Sequence, residues 1–364
     1  MRRHWASCLR TAILTSVLVS LPFAGDSSVT AAAEIDGLRI TDYFISHTFN
    51  EPFYAQQKLD PSVTLHVREV VLAGRERSVT KDGKVLLLIH GATLPGYVAF
   101  DTDFENVSLM RHFARAGWDT FALDLEGYGL STRPLVMDDP AAFPDSKAPM
   151  HGDVTVRDVE RVVDFVRELR RVDKVHLLGW SSGADLEAPL YAIRHPDKVA
   201  RLVLFGVGYD VPESMDERRK RAAADEAAKV LYSRPSSVAR WAGYGTTEDF
   251  VVPGAYEAHR KALLASDPKS GELGGAVRWP AGRSVDPDLS KPFFDASKIS
   301  VPTLVIRGDA DTWATRESNR QLMDALGSKV KAYVEIPNAG HFLQFEKSNK
   351  QFYRAVEDFL EGKK

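Results

Sequence analysis

The stretch that decides the fold is Lys174-Val175-His176-Leu177-Leu178-Gly179-Trp180-Ser181-Ser182-Gly183. An apolar run with the composition of a buried strand leads directly into Gly-x-Ser-x-Gly, and a helical stretch follows to His195, where Pro196 stops it. Glycines two before and two after the serine let neighbouring backbone pass where a side chain would clash. A hydroxyl held on such a turn stands above the sheet at a helix N-terminus, which favours developing negative charge. Ser181 is therefore the candidate nucleophile.

Working outward, Leu65 to Leu72, Val85 to Ile89, Thr120 to Leu125, Lys174 to Leu178, Arg201 to Phe205, Thr303 to Arg307 and Lys331 to Ile336 read as strands, most too continuously apolar to have a wet face. Amphipathic stretches separate them. Val156, Val159, Val162, Val163, Val166 and Leu169 recur at helical spacing behind an apparent cap of Thr155 with Asp158, and Phe352, Val356, Phe359 and Leu360 form the last stripe. The expected class is α/β: a mostly parallel twisted sheet covered by helices on both faces. Residues 211–298 break the rhythm, with helix-rich pieces over Met215 to Tyr232, Ser236 to Trp241 and Ala255 to Ala265 and no convincing strand. They read as a helical cap inserted into a catalytic domain formed by 34–210 and 299–364, because long insertions in compact domains usually serve binding.

A neutral serine needs a positioned base, and histidine suits that task near neutral pH. Among ten histidines, His341 follows the last strand in Pro337-Asn338-Ala339-Gly340-His341, at the sheet edge where catalytic groups of open α/β sheets gather. The loop Gly308-Asp309-Ala310-Asp311 offers an orienting acid: Asp311 is the choice, with Asp309 and Asp210 as alternatives. The strand Val85 to Ile89 ends in His90-Gly91-Ala92, so the N–H of Ala92 is placed to join that of Ser182 as an oxyanion hole, with His90 bracing the loop.

These motifs together resemble the α/β-hydrolase superfamily in its serine-nucleophile branch with a helical cap, over about residues 63 to 360. Besides Gly179 to Gly183, His90-Gly91 and Gly340-His341, the run Asp124-Leu125-Glu126-Gly127-Tyr128-Gly129-Leu130-Ser131 is similar to the family's D-x-R-G-x-G-x-S loop, with Glu126 where arginine is common. The chain order Ser, Asp, His matches the family. Ala184 replaces a usual glycine, and Pro189 is expected to kink the helix after the turn. A serine at the elbow excludes the epoxide- and halide-displacing members, which use aspartate.

Composition supplies the exclusions. The 364 residues are 44% hydrophobic and 27% charged, enough for a sizeable core, and 47 Lys and Arg against 50 Asp and Glu give a net charge of −3 without long single-sign blocks. A nucleic-acid partner is not expected. Asp101, Asp103 and Glu105 read as a solvated acidic loop rather than a calcium site, so no metal and no cofactor are expected. Arg2, Arg3 and Arg10 precede the apolar run Thr11 to Ala24 and the small residues Ala31 to Ala33, the pattern of a signal peptide cleaved near Ala33. The run is too short for a permanent membrane anchor. Its removal takes away Cys8, the only cysteine, and leaves a mature chain two units more negative.

The expected protein is thus a periplasmic or extracellular serine hydrolase of a small-molecule ester or lactone. The alternatives are a carbon–carbon bond hydrolase with the same triad and a non-catalytic protein that kept the fold. Trp180, Trp241, Tyr244 and Trp313 are candidate substrate contacts. Oligomeric state is left open by the sequence.

Overall fold

The computed structural model of the chain describes residues 27–48, 62–76, 78, 83–104, 106–209, 215–235, 237–285 and 292–363. Nine strands form one sheet: β1 (Ser27–Ile35), β2 (Leu38–Thr48), β3 (Ser62–Leu72), β4 (Val85–Ile89), β5 (Asp119–Asp124), β6 (Val175–Trp180), β7 (Val199–Phe205), β10 (Thr303–Gly308) and β11 (Lys331–Ile336). Their spatial order is β1-β2-β3-β5-β4-β6-β7-β10-β11, antiparallel from β1 to β5 and parallel from β5 onward. Every residue of β4, β5, β6 and β10 is buried, as expected of parallel strands with helices on both faces.

Two apolar clusters sandwich this sheet. On one face, α3 (Gly152–Arg170) inserts Val156, Val159, Val162, Val163 and Val166, all fully buried. Each contributes ~1.5–3 kcal/mol through burial. On the other, α2 (Leu109–Arg115) contributes Leu109, Met110 and Phe113, and α8 (Asn349–Leu360) contributes Phe352, Val356 and Leu360. Strand order reverses at β4, since β5 lies on one side of it and β6 on the other. Such a switch point opens a crevice at the carboxyl ends of the strands.

The expected parallel strands are all present, with ends shifted by one or two residues. Three features differ. The N-terminal lead-in holds β1 and β2, and β1 pairs to β2 through Ala33↔Ile40, so Ser27 to Ala33, expected to leave with the export segment, belong to the edge strand. Residues 1–26, with Cys8, lie outside the described residues. Secondly, α3 begins at Gly152, so Thr155 and Asp158 are not its cap; Thr155 donates to Glu187 Oε1 (2.7 Å) and Asp158 Oδ2 accepts from the N–H of Glu126 (2.8 Å). Thirdly, the segment between β7 and β10 is not purely helical. Alongside α5 (Met215–Ala228) and α6 (Ala255–Ala265) it carries a two-stranded antiparallel pair, β8 (Val230–Ser233) with β9 (Val277–Pro280).

Candidate active site

The carboxyl ends of β4, β6, β7, β10 and β11 converge. Ser181 follows β6 with φ of +54°, a left-handed conformation that costs energy for any residue with a Cβ. The turn is held by the Ser181 N–H bonded to Phe205 O (2.9 Å) and by the N–H groups of Ala184 and Asp185 converging on Ser181 O (2.7 and 2.8 Å). Both flanking glycines are required by close approach: a Cβ on Gly179 would overlap the Gly183 carbonyl, and one on Gly183 would lie 2.5 Å from Ile89 O. A π-helical turn, Gly183–Glu187, then gives way to α4 (Ala188–Arg194). Pro189 thus lies inside a helical stretch that runs unbroken from Ser182, and the distortion expected of it falls on its N-terminal side as the π-helical turn.

The Ser181 hydroxyl donates to His341 Nε2 (2.9 Å), and His341 Nδ1–H donates to Asp311 Oδ2 (2.8 Å). The other carboxyl oxygen, Oδ1, accepts the N–H groups of Trp313 (2.8 Å) and Ala314 (2.9 Å). Burial alone raises the Asp311 pKa, but His341 and these two N–H donors outweigh it and hold the carboxylate below its ordinary value. Of the alternative acids, Asp309 accepts from Ala339 N–H (3.1 Å) and does not touch the imidazole; Asp210 lies outside the described residues. Arg307, which carried no sequence signal, shapes the acid loop by donating to Asp311 O (2.8 Å), Asp309 O (3.2 Å) and Ala314 O (2.5 Å).

Across Ser181 lies the His90–Ala92 loop, so close that a Cβ on Gly91 would sit 3.1 Å from Ser181 Cβ. His90 is fully buried; its Nδ1–H donates to Gly91 O (2.7 Å) and its Nε2 accepts from Leu125 N–H (3.2 Å). Burial, aided by nearby Arg283, lowers its pKa to about 3, so the ring is neutral and braces the loop, as its position after the strand suggested. Among the described residues no acceptor takes the backbone N–H of Ala92 or of Ser182. Two donors thus stand open beside a hydrogen-bonded serine, histidine and aspartate, an arrangement suited to nucleophilic acyl transfer.

Residues 84–348 match the family model described as alpha/beta hydrolase fold. The chain belongs to that family. A 2-hydroxymuconate semialdehyde hydrolase of Pseudomonas sp. (strain CF600) is 30% identical over 154 residues, covering 41% of this chain and 47% of that protein, so the match spans about half the relative's length. Solved structures share the fold at lower identity. A thermophilic esterase from Thermogutta terrifontis aligns with a TM-score of 0.57 at 17% identity, covering 88% of this chain and 98% of its own. The enol-lactonase from Burkholderia xenovorans LB400 gives 0.53 at 19%, covering 82% and 96%.

In this α/β-hydrolase the four aromatic candidates divide in two. Trp180 is 2% exposed, stacks on Phe205 and donates its indole N–H to His341 O (3.1 Å). Trp241, 7% exposed, stacks on Phe342 at 4.2 Å. Both are consumed in packing that positions the His341 loop, and neither keeps a face for substrate. By contrast Tyr244, 44% exposed, lies over the His341 ring at 5.7 Å, and Trp313, 46% exposed, follows Asp311 by two residues. Trp313 Nε1–H donates to the buried Asp185 (3.2 Å), whose pKa burial raises well above the usual range. The acidic loop is only partly solvated, contrary to expectation: Asp101 is buried between Arg111 (2.8 Å) and Arg68 (3.5 Å), while Asp103, which Arg111 also binds, is exposed; Glu105 lies outside the described residues. Among the described residues no group of three or more His, Cys, Asp or Glu is arranged to hold a metal, and no helix is long and apolar enough to cross a membrane.

Proposed function

We propose that this hydrolase is a serine hydrolase of carboxylic esters, lactones included, working through an acyl-enzyme. The carrying observation is the unbroken hydrogen-bonded chain from Ser181 Oγ through His341 to Asp311, with two open N–H groups beside it. Ser181 Oγ attacks the carbonyl carbon as His341 Nε2 takes its proton. The carbonyl oxygen becomes an oxyanion held by the N–H groups of Ala92 and Ser182, each worth about 2.7–4 kcal/mol where such donors have been removed. Collapse expels the alcohol, which leaves with the proton from His341. Water then attacks the acyl-enzyme with His341 again as base, releasing the acid and regenerating Ser181. Asp311 keeps the imidazole in the required tautomer and steadies the imidazolium. No step calls for a cofactor. Tyr244 and Trp313 present the aromatic faces that substrate meets first, and the β7–β10 segment serves as the cap.

A fluorophosphonate is expected to label the folded protein on Ser181 and to leave the Ser181→Ala variant unlabelled. A folded wild-type chain that stays unlabelled and turns over no ester or lactone would refute the reading. The similarity to the 2-hydroxymuconate semialdehyde hydrolase supports a second reading, cleavage of a carbon–carbon bond by the same triad. Turnover of dienoic ketones far exceeding that of esters and lactones selects it.

Export to the periplasm or beyond belongs to the same proposal, supported by the Arg-led apolar run at the N-terminus. The pairing of Ser27 to Ala33 with β2 favours a cut before Ser27, since one near Ala33 strips most of the edge strand. N-terminal sequencing of exported protein reads the position directly, and full-length protein confined to the cytoplasm rejects export.

A further inference from the structure

From the geometry around the His90–Ala92 loop we infer that Arg283, a residue of the β7–β10 segment, is a positioning residue of the oxyanion hole: it aims the Ala92 N–H at Ser181 by holding the carbonyl at the other end of the same peptide. This rests on the reading of Ser181 and Ala92 given above.

The Arg283 side chain is 1% exposed although its segment lies outside the sheet. Its Nε and Nη2 donate to the two carboxylate oxygens of Glu187 (2.9 and 2.8 Å), and its Nη1 donates to Gly91 O (3.2 Å) and Tyr128 Oη (3.2 Å). Nη2 also reaches His90 O (3.4 Å), while the Tyr128 hydroxyl donates to Ala92 O (2.6 Å). The carbonyls of three consecutive residues, His90, Gly91 and Ala92, are therefore all held by Arg283 or by the tyrosine it binds.

The consequence follows from the planarity of the peptide. The Gly91 carbonyl and the Ala92 N–H belong to one rigid trans unit and point in opposite directions, so fixing the oxygen fixes the hydrogen. His90 Nδ1–H and Arg283 Nη1–H grip that oxygen from within the protein, leaving the N–H directed to the other side, where no acceptor among the described residues meets it. A cation on the carbonyl end also polarises the peptide and strengthens its N–H as a donor. Glu187, the other partner of Arg283, lies in the π-helical turn that follows Ser182, the second donor. One guanidinium thus ties together the two segments that carry the hole.

The anchorage is reinforced through the backbone. Gly282 N–H bonds to Pro149 O (3.0 Å), and a Cβ on Gly282 would overlap the Pro149 carbonyl. This part of the segment is consequently seated on the catalytic domain, with its arginine as the peg.

Two variants test the inference. Arg283→Met is combined with Glu187→Gln so that no bare carboxylate is left buried, and Tyr128→Phe separately deletes only the hydroxyl that holds Ala92 O. Each is measured for kcat and KM on an ester turned over by the wild type, for inhibition by a trifluoromethyl ketone that mimics the tetrahedral adduct, and for thermal unfolding. For the double variant kcat is expected to fall about 10- to 100-fold, below the 10²–10³ of a deleted donor because the N–H is misdirected rather than lost. The inhibition constant should rise in parallel, with KM within about threefold. Tyr128→Phe should show the same pattern at about three- to tenfold. A folded double variant with unchanged kcat and inhibition constant overturns the assignment, as does a loss confined to KM. Should the double variant fail to fold, Tyr128→Phe decides: wild-type inhibition by the ketone overturns the assignment. Failure of the underlying reading looks different, because it would appear in the wild type as absent labelling and turnover.

Discussion

On one flank of Ser181 the contacts that the segment between β7 and β10 makes with the Asp311 and His341 loops are neutral, whereas on the other its contact with the His90–Ala92 loop is one half of a buried ion pair. Arg307, which shapes the Asp311 loop, belongs to β10 and not to this segment. Toward His341, Tyr244 O accepts the His341 N–H (3.2 Å), Thr246 Oγ1 accepts the Phe342 N–H (3.1 Å), Thr312 donates to Gly243 O (2.8 Å), and Trp241 stacks on Phe342. Toward the oxyanion hole, Arg283 is held by Glu187. The difference matches what each flank must do. His341 takes up and gives back a proton twice in every cycle, and a fixed cation beside it would oppose its protonation; among the described residues Asp311 is the only anion bonded to its ring. At the hole negative charge appears only transiently, and donors must already point at it, so a rigid ion pair of no net charge suits the place.

The test with the largest expected effect strikes the neutral flank. Asp311→Asn keeps the shape of the acid but faces the imidazole with an amide N–H, favouring the tautomer in which Nε2 carries the proton and cannot take one from Ser181. By analogy with the serine-protease triad, kcat should fall as much as about 10⁴-fold with the fold retained. Steady-state kinetics with a circular dichroism control reads it, and a loss of tenfold or less would mean that Asp311 does not orient the base.

That acid, like Ser181 and His341, was legible because each lies within a few residues of the end of a strand whose apolar run is local and continuous. The same locality explains what was missed. Arg283 sits in a short turn with no periodicity, and its meaning depends on Glu187, 96 positions away. Thr155 and Asp158 imitate a capping box, yet their side chains serve partners 32 residues distant, which no local pattern encodes. Strands β8 and β9 are four residues each and meet across more than forty residues of chain. β2 does carry a local signal, since Thr41, Tyr43 and Ile45 alternate toward the core. Trp180 and Trp241 are covered by packing while Tyr244 and Trp313 are exposed, a division invisible to composition, which marks an aromatic residue without saying whether its faces are already covered.

A second test asks how neutral the His341 flank is. Glu346 is buried there, accepting from Thr246 Oγ1 (2.6 Å) and Gly340 N–H (2.9 Å), and burial outweighs those bonds to push its pKa up to about 7. Its folded pKa thus exceeds the unfolded value near 4.5. The native state binds the extra proton between these values, so the contribution of Glu346 to stability is greatest below pH 4.5 and declines until about pH 7. Unfolding free energies of the wild type minus those of Glu346→Gln should therefore fall by on the order of 3 kcal/mol between pH 4.5 and 7.5 and stay flat above. A pH-independent difference would mean that Glu346 is charged throughout, and the contrast between the flanks would then rest on less than proposed.

The smallest expected effect comes from Thr246→Val, which deletes one hydroxyl on the neutral flank as Tyr128→Phe deletes one on the charged flank. Valine fills the same volume, so packing is kept while the Phe342 N–H loses its acceptor and Glu346 loses a donor. Leaving a buried N–H unsatisfied costs about 1–3 kcal/mol, and the lower end is expected because the loop keeps the Tyr244 carbonyl and the Trp241–Phe342 stack. Urea unfolding should show a loss of about 1 to 2 kcal/mol, with kcat reduced less than tenfold since Asp311 still orients the imidazole. If the unfolding midpoint did not move while kcat dropped a hundredfold, the hydroxyl would be acting on the reaction rather than on the loop, and the two flanks would be alike in kind.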